Sequence, residues 1–212
     1  TFDADSWTIP SGELNATAAI KIDLNKIEEL GSLYDDYVLP LRITSSTGEP
    51  MGQNKYTKVL AHIGFKNDYS GTYSGKGIIT QQGTTYTTEI TSTQLYAINN
   101  DICYMFVGEK TRANTPDYLN YVVEIKRDEW GGITLSSEVG SLEFKSYNSK
   151  LSRKYTYNYN DQRYYTEITT VELAYEYLDK TQSEDLRMTF EGSFSMSRDV
   201  LRVEYPNVDV EE

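Results

Sequence analysis

The chain has 212 residues, of which 32 are acidic and 20 are basic, so its formal net charge at pH 7 is −12. An acidic surface opposes binding to nucleic acid or to anionic membranes and leaves neutral or cationic partners. Hydrophobic residues make up 38% of the chain, enough to bury a core, and the length suits one large or two smaller β domains, of which two is our prediction.

The first domain is predicted over residues 1–65. Residues 36–45, DYVLPLRITS, place strand-forming residues around Pro40, which cannot donate a ladder hydrogen bond, and such a segment is typical of an edge strand. Residues 56–63 predict a further strand that leads out of the domain. About sixty residues is short for a β-sandwich, which usually needs about seven strands over about a hundred residues, so we expect either further strands upstream or a second domain that covers the exposed core.

The second domain is predicted over residues 66–212 as a meander of strands joined by polar turns. Residues 186–196 show the clearest pattern, with apolar residues or glycine at every even position and mostly polar residues between them. Eight or nine antiparallel strands with short turns favour a closed, up-and-down β-barrel over an open sandwich. The fold class is therefore all-β: a partial sandwich followed by an 8–9 stranded antiparallel barrel.

One long strand of this domain shows a change of phase. In residues 163–177 the apolar residues move from even positions, Tyr164 and Ile168, to odd positions from Val171 onward. An extra residue in one strand shifts its alternation in this way, so we predict a β-bulge near Thr169 and Thr170.

Residues for catalysis or metal binding are scarce. Cys103 is the only cysteine and His62 the only histidine, so there is no intrachain disulfide, and zinc sites and most catalytic triads are disfavoured. The apolar surroundings of Cys103 predict a buried, inert thiol. The chain has no G-x-S-x-G, no H-E-x-x-H and no P-loop. We expect no enzyme activity, no metal site and no cofactor.

Most of the 19 tyrosines lie after His62, and several of them fall close together in the second domain. An aromatic ring with a hydroxyl at its rim suits a sugar, which offers C–H faces for stacking and hydroxyls for hydrogen bonds. Tyrosine also favours strands intrinsically, so a ladder of tyrosines needs no ligand. The candidate ligand-binding residues are Tyr155, Tyr157 and Tyr159 on one strand face, Tyr164 and Tyr165 across a turn, and Trp130 at a hairpin tip.

Two segments near the start of the chain carry a family resemblance. Residues 7–12, WTIPSG, followed by residues 37–45, YVLPLRITS, resemble the N-terminal adhesin-like domain of unknown function in surface lipoproteins of gut Bacteroidetes. This resemblance implies an immunoglobulin-like sandwich for the first domain. Residues 68–77, DYSGTYSGKG, and the late tyrosine-rich strands are similar to its usual C-terminal companion, a lipocalin-like β-barrel, also of unknown function. The sequence departs from the full pattern because it lacks the first strands and the lipidated cysteine.

The resemblance implies a non-catalytic protein at the cell surface, an outer membrane lipoprotein whose lipid anchor lies upstream of this sequence and which has no membrane span. Such proteins are commonly encoded beside glycan-uptake machinery, so the resemblance implies binding of polysaccharide or host glycan, or of a surface protein partner.

Two alternatives stay open. One is a structural or adhesive spacer, or a protein-contact module, without a glycan site. The other is a carrier of a small apolar ligand, which requires a hollow barrel. The carrier interpretation weakens if the interior is filled by Leu186, Met188, Phe190, Phe194 and Met196.

Overall fold

The computed structural model describes residues 6–13, 17, 19–21, 23, 34, 37–47, 57–128, 132–181 and 184–211. By its internal contacts the chain divides into two compact units, residues 1–35 and residues 36–212. In the first unit, residues 11 and 12 form a turn and Ile20 takes part in an isolated β-bridge. The predicted domain boundary at residue 65 stays a prediction.

The second unit begins with a two-stranded antiparallel sheet of β1 (Tyr37–Arg42) and β2 (Lys58–Ile63), in which Pro40 lies opposite Leu60. Within the described part of the chain, β2 is the one strand that pairs with β1. The other side of β1 is therefore an edge, where the missing N–H of Pro40 leaves no carbonyl of a neighbouring strand unpaired.

The remaining ten strands form one larger sheet. They are β3 (Gly71–Gln81), β4 (Thr87–Ala97), β5 (Ile102–Phe106), β6 (Val122–Arg127), β7 (Ile133–Ser136), β8 (Lys145–Ser146), β9 (Lys150–Tyr157), β10 (Tyr164–Asp179), β11 (Leu186–Leu201) and β12 (Val210–Glu211). Their order is β12-β9-β10-β11-β3-β4-β5-β6-β7, with β8 beside β10, and every pairing is antiparallel except that of β12 with β9. The all-β class is thereby confirmed. No helix in the described residues is long and apolar enough to cross a membrane.

The sheet is open and sandwich-like rather than the closed barrel that the strand pattern predicts. The first half of β10 pairs with β9, and its second half pairs with two residues of β8. Between β7 and β8 the chain makes a 3-10 turn, Gly140–Leu142, followed by Glu143 with a φ of 45°. The hydrogen-bond ladder consequently does not run around the sheet, whereas a barrel requires an unbroken stagger of all its strands.

One hydrophobic core cluster lies on the inner face of this sheet and receives side chains from strands at both ends of the order, including Met105, Ile125, Leu135, Tyr175 and Phe194. The curled sheet therefore packs against itself.

The interior is filled. Met188, Phe190 and Phe194 are buried in the core cluster, and Leu186 and Met196 pack against it. The phenylalanine rings lie over two glycines: a Cβ atom on Gly77 would be 2.6 Å from Cζ of Phe190, and one on Gly192 would be 2.6 Å from Cε2 of Phe194. Since aromatic side chains take up this space, the structure weakens the interpretation as a hollow carrier.

The bulge predicted in β10 is wrong. β10 and β11 pair without interruption from Tyr164 opposite Leu201 to Asp179 opposite Leu186, and the irregularity lies instead between β3 and β4, near Ser74 and Gly77. Odd positions of β10 face inward along its length, but two of them, Glu167 and Thr169, are polar and nevertheless buried. The inner face of β10 is polar near the start of the strand. Because polar residues occupy these inward positions, the sequence shows an apparent change of phase although the strand has no bulge.

The predicted burial of Cys103 is confirmed. Cys103 is a free, fully buried thiol in β5, and its sulfur lies 3.3 Å from Nδ2 of Asn67. Burial raises the pKa of the thiol to about 12.

Candidate functional site

Three side chains from separate elements meet where β9 ends and β10 begins. Tyr157 of β9 lies opposite Tyr165 of β10, and their ring centroids are 5.9 Å apart with an interplanar angle of 58°. The guanidinium carbon of Arg202, from the 3-10 turn that follows β11, lies 5.0 Å from the ring centroid of Tyr157 and 4.8 Å from that of Tyr165. We call these three residues the tyrosine–arginine cluster.

Backbone hydrogen bonds hold Arg202 in this position. Its Nε donates to the carbonyl of Tyr164 over 3.1 Å, and its backbone N–H donates to the carbonyl of Arg163 over 2.9 Å. Two aromatic faces attract a cation by their quadrupoles, so the rings and the guanidinium stabilise one another. The cluster is partly open to solvent, since Tyr157 is 40% exposed.

Tyr155 extends the cluster inward along β9. It points to the same face as Tyr157, because side chains two residues apart in a strand share a face. Its ring lies 5.9 Å from that of Tyr205, which follows the 3-10 turn after β11. Burial raises the pKa of the Tyr155 hydroxyl, which keeps it protonated as a hydrogen-bond donor at neutral pH.

A buried ionic layer lies directly beneath. Glu167, opposite Tyr155 in the sheet, is 0% exposed and accepts hydrogen bonds from Oγ1 of Thr169 over 3.1 Å and from Nε of Arg198 over 3.2 Å. The Nε of Arg153 lies 3.9 Å from the same carboxylate, and Asp68 lies within 4 Å of both arginines. This layer separates the tyrosine–arginine cluster from the apolar core.

Three of the predicted residues, Tyr155, Tyr157 and Tyr165, lie together. Tyr159 is 85% exposed and follows the end of β9. Tyr164 is adjacent to Tyr165 in the strand and so points to the opposite face, where its ring lies 5.7 Å from the guanidinium carbon of Arg163. Trp130 lies outside the described residues.

Two residues of this site, Arg202 and Tyr205, do not appear among the sequence predictions. The pattern of even inward positions in residues 186–196 continues through Arg198, Val200 and Arg202, because β11 extends to Leu201. Extending that alternation past Met196 would have placed Arg202 on the inner face, opposite the start of β10.

A second concave surface lies on another part of the sheet. Only Tyr96 and Ala97 of β4 pair with β5, so β4 diverges from its neighbour and leaves a groove of about 500 Å³. Hydroxyl and amide side chains such as Ser92 and Gln94 line it, together with Phe106. None of the predicted tyrosines lines this groove.

The chain is thus an all-β protein that carries a partly exposed aromatic cluster at one end of its sheet and has a filled core. A family model described as a C-terminal domain matches residues 57–195, and another described as an N-terminal domain matches residues 1–50. Because the first match covers more than half of the chain, the chain belongs to that family, whose C-terminal domain is formed by residues 57–195.

Solved structures from Bacteroides share the fold. A multidomain protein including DUF1735 from Bacteroides ovatus has a TM-score of 0.65 at 16% identity, over 80% of this chain and 60% of that one. An auxiliary nutrient binding protein from Bacteroides thetaiotaomicron has a TM-score of 0.64 at 17% identity, over 78% and 58%. A protein of unknown function from Bacteroides ovatus has a TM-score of 0.60 at 19% identity, over 68% and 51%.

This chain thus spans 60% or less of the length of each of these three structures. No curated protein matches the chain.

Proposed function

We propose that this protein is a non-catalytic binding protein of the cell surface and that it captures carbohydrate through the tyrosine–arginine cluster. The observation that carries the proposal is the convergence of Tyr157, Tyr165 and Arg202, from three separate elements, at a partly open end of the sheet. This chain shares its fold with an auxiliary nutrient binding protein from Bacteroides thetaiotaomicron, and this similarity supports the same role.

The geometry of the cluster suits a sugar ring. The two tyrosine rings are tilted by 58° to one another, so they do not form a closed stack. A pyranose places its C–H face on such a ring, and the tyrosine hydroxyls and guanidinium N–H groups provide hydrogen bonds to its hydroxyls. Tyr159, two residues beyond Tyr157, adds a further exposed ring at the same edge.

Exposure distinguishes this cluster from tyrosines that only pack. Tyr73 and Tyr175 are buried in the core cluster and have their hydroxyls bonded to backbone groups: Tyr73 donates to the carbonyl of Tyr69, and Tyr175 accepts from the N–H of Gly108. Tyr157, by contrast, leaves a large part of its ring in solvent. A ring with a rigid backbone position and an accessible face is what a stacking site requires.

The proposal includes the location that the family resemblance implies. The protein would be held at the outer membrane by a lipid anchor outside this sequence, with the β-sheet unit facing the medium and no chemistry performed on the captured glycan.

A second candidate function is a protein-contact module. The two-stranded sheet of β1 and β2 exposes several apolar side chains, among them Val38, Val59 and Leu60. Exposed apolar side chains close together in one small sheet are typical of protein-contact surfaces.

The test is a screen of the purified chain against plant, microbial and mucin glycans by affinity electrophoresis, followed by calorimetry of each hit with the wild type and Tyr157→Ala. The matched control is Tyr86→Ala, another exposed tyrosine, at the β3–β4 hairpin near the opposite end of β11. The proposal predicts that Tyr157→Ala loses binding and Tyr86→Ala keeps it. Binding that survives in Tyr157→Ala would refute this site, and a screen without hits would favour the protein-contact module.

A further inference from the structure

Arg202 differs in its ion pairing from the arginines around it. Within the described residues no carboxylate lies within 4 Å of its guanidinium, and its one side-chain hydrogen bond is made by Nε to the carbonyl of Tyr164. The neighbouring arginines are all paired: Arg163 with Asp161 at 2.6 Å, and Arg153 and Arg198 with the buried Glu167. An arginine left without a carboxylate is conspicuous in a chain of net charge −12.

The free part of this guanidinium is held in a defined orientation. The rings of Tyr157 and Tyr165 lie side by side against it at 5.0 and 4.8 Å, and the bond from Nε fixes its plane relative to the backbone of β10. Nη1 and Nη2 make no hydrogen bond with any described residue. The paired N–H groups of an arginine match the two oxygens of a carboxylate, and holding the fork in place reduces the entropy lost on binding.

We propose that the carbohydrate bound by the tyrosine–arginine cluster is acidic, and that its sugar carboxylate binds to Arg202 while the sugar ring stacks on Tyr157. This inference rests on the proposed function and names its substrate class. The ligand chemistry is that of a uronic acid or another carboxylated sugar.

The net charge of the protein limits the kind of acidic glycan. A densely charged polyanion brings many carboxylates near an acidic surface and is repelled. An isolated carboxylate on an otherwise neutral glycan avoids this cost, because charges farther away than the Debye length of about 8 Å at physiological salt are screened. The ligand that we infer is therefore a neutral glycan that carries single acidic sugars.

Two pairs of oligosaccharides that differ by a single acidic sugar test the inference by calorimetry: a xylo-oligosaccharide with and without one glucuronic acid branch, and sialyllactose against lactose. We expect the wild type to bind the acidic member of at least one pair ten or more times more tightly than its neutral partner. Arg202→Gln abolishes this preference, and Arg202→Lys keeps only part of it because an ammonium lacks the planar fork.

The control is Lys154→Gln. Lys154 is a cation of the same strand as Tyr157, but it is paired with Glu211 on the other face, so its removal changes the net charge equally and leaves the acidic preference unchanged. Thermal unfolding verifies that each variant is folded. If Arg202→Gln does not fold, Arg202→Lys decides, since it keeps a cation beside the rings.

The possible outcomes separate the inference from the function on which it rests. Equal affinity for neutral and acidic members, both lost in Tyr157→Ala, overturns the inference and leaves the proposed function intact. An acidic preference that persists in Arg202→Gln also overturns the inference. Absence of binding to these pairs, together with no hits in the wider glycan screen, overturns both.

Discussion

Glu167 and Arg198 form an ion pair across β10 and β11, with Oε1 of Glu167 3.0 Å from Nη2 of Arg198. The carboxylate is fully buried, while a third of the arginine side chain remains exposed. The pair lies between the apolar core and the tyrosine–arginine cluster. It therefore stabilises the sheet at the place where β10 and β11 position the residues of the candidate site.

The first prediction concerns this pair. Removing the charge in Glu167→Gln leaves Arg198 and the largely buried Arg153 without their shared carboxylate, so we expect a loss of about 2 to 4 kcal/mol in the free energy of unfolding. Urea titration followed by circular dichroism measures it. Glu172→Gln, at an exposed position of the same strand, serves as the control and changes little. Equal midpoints for both variants would contradict a stabilising role for the ionic layer.

The second prediction concerns the filled core. A Cβ on Gly77 would meet Phe190 and Phe194 at 2.6 and 2.8 Å, so Gly77→Ala forces the rings to move and costs about 1 to 3 kcal/mol. Combining it with Phe190→Leu gives less than the sum of the two losses, because the smaller side chain relieves the overlap. Gly140→Ala is the control, since a Cβ there meets nothing within 4 Å. Strict additivity in chemical denaturation would argue against the contact.

The third prediction is a dependence on pH. Burial raises the pKa of Asp179, but hydrogen bonds from Lys110, 2.8 Å away, and from Thr181 outweigh it, and the pKa lies below its ordinary value. A carboxyl whose pKa is lower in the folded state contributes stability above its unfolded pKa, about 3.9, and loses it as the pH falls through the folded pKa. The stability difference between wild type and Asp179→Asn should therefore be largest near neutral pH and shrink below about pH 4.

Stability measured by denaturant titration at several pH values provides the test of this dependence. Asp117→Asn, which alters an exposed carboxylate, is the matched control. A stability difference for Asp179→Asn that stays constant down to pH 2 would exclude the ion pair as its source.

The fourth prediction concerns Cys103. Its burial and its raised pKa leave almost no accessible thiolate, so the native protein should not react with a disulfide reagent at pH 8. In guanidinium one thiol per chain should react at once. Rapid labelling of the native protein would show that β5 opens far more readily than its buried position indicates.

The fifth prediction separates the ring of Tyr157 from its hydroxyl. Tyr157→Phe keeps the stacking surface and the contact with Arg202, so it should retain most of the glycan affinity, whereas Tyr157→Ala should lose binding. Calorimetry with a glycan hit measures both. Equal losses in the two variants would assign the binding energy to the hydroxyl instead of the ring.

The sequence by itself determined the all-β class, the inward face of residues 186–196, the buried cysteine and the tyrosines at the start of β10 and the end of β9. These features depend on strand alternation and on side-chain type, which are local properties that a pattern of period two reports directly.

The tertiary structure alone decided that the sheet stays open, that Glu167 and Thr169 face inward, and that Arg202 lies against both Tyr157 and Tyr165. Each of these depends on partners distant in sequence. Glu167 is tolerated inside because Arg153 and Arg198 neutralise it from the neighbouring strands, and a polar residue with such partners looks in the sequence like a solvent-facing one. The position of Arg202 follows from the register of β10 and β11, which is set by the whole length of both strands.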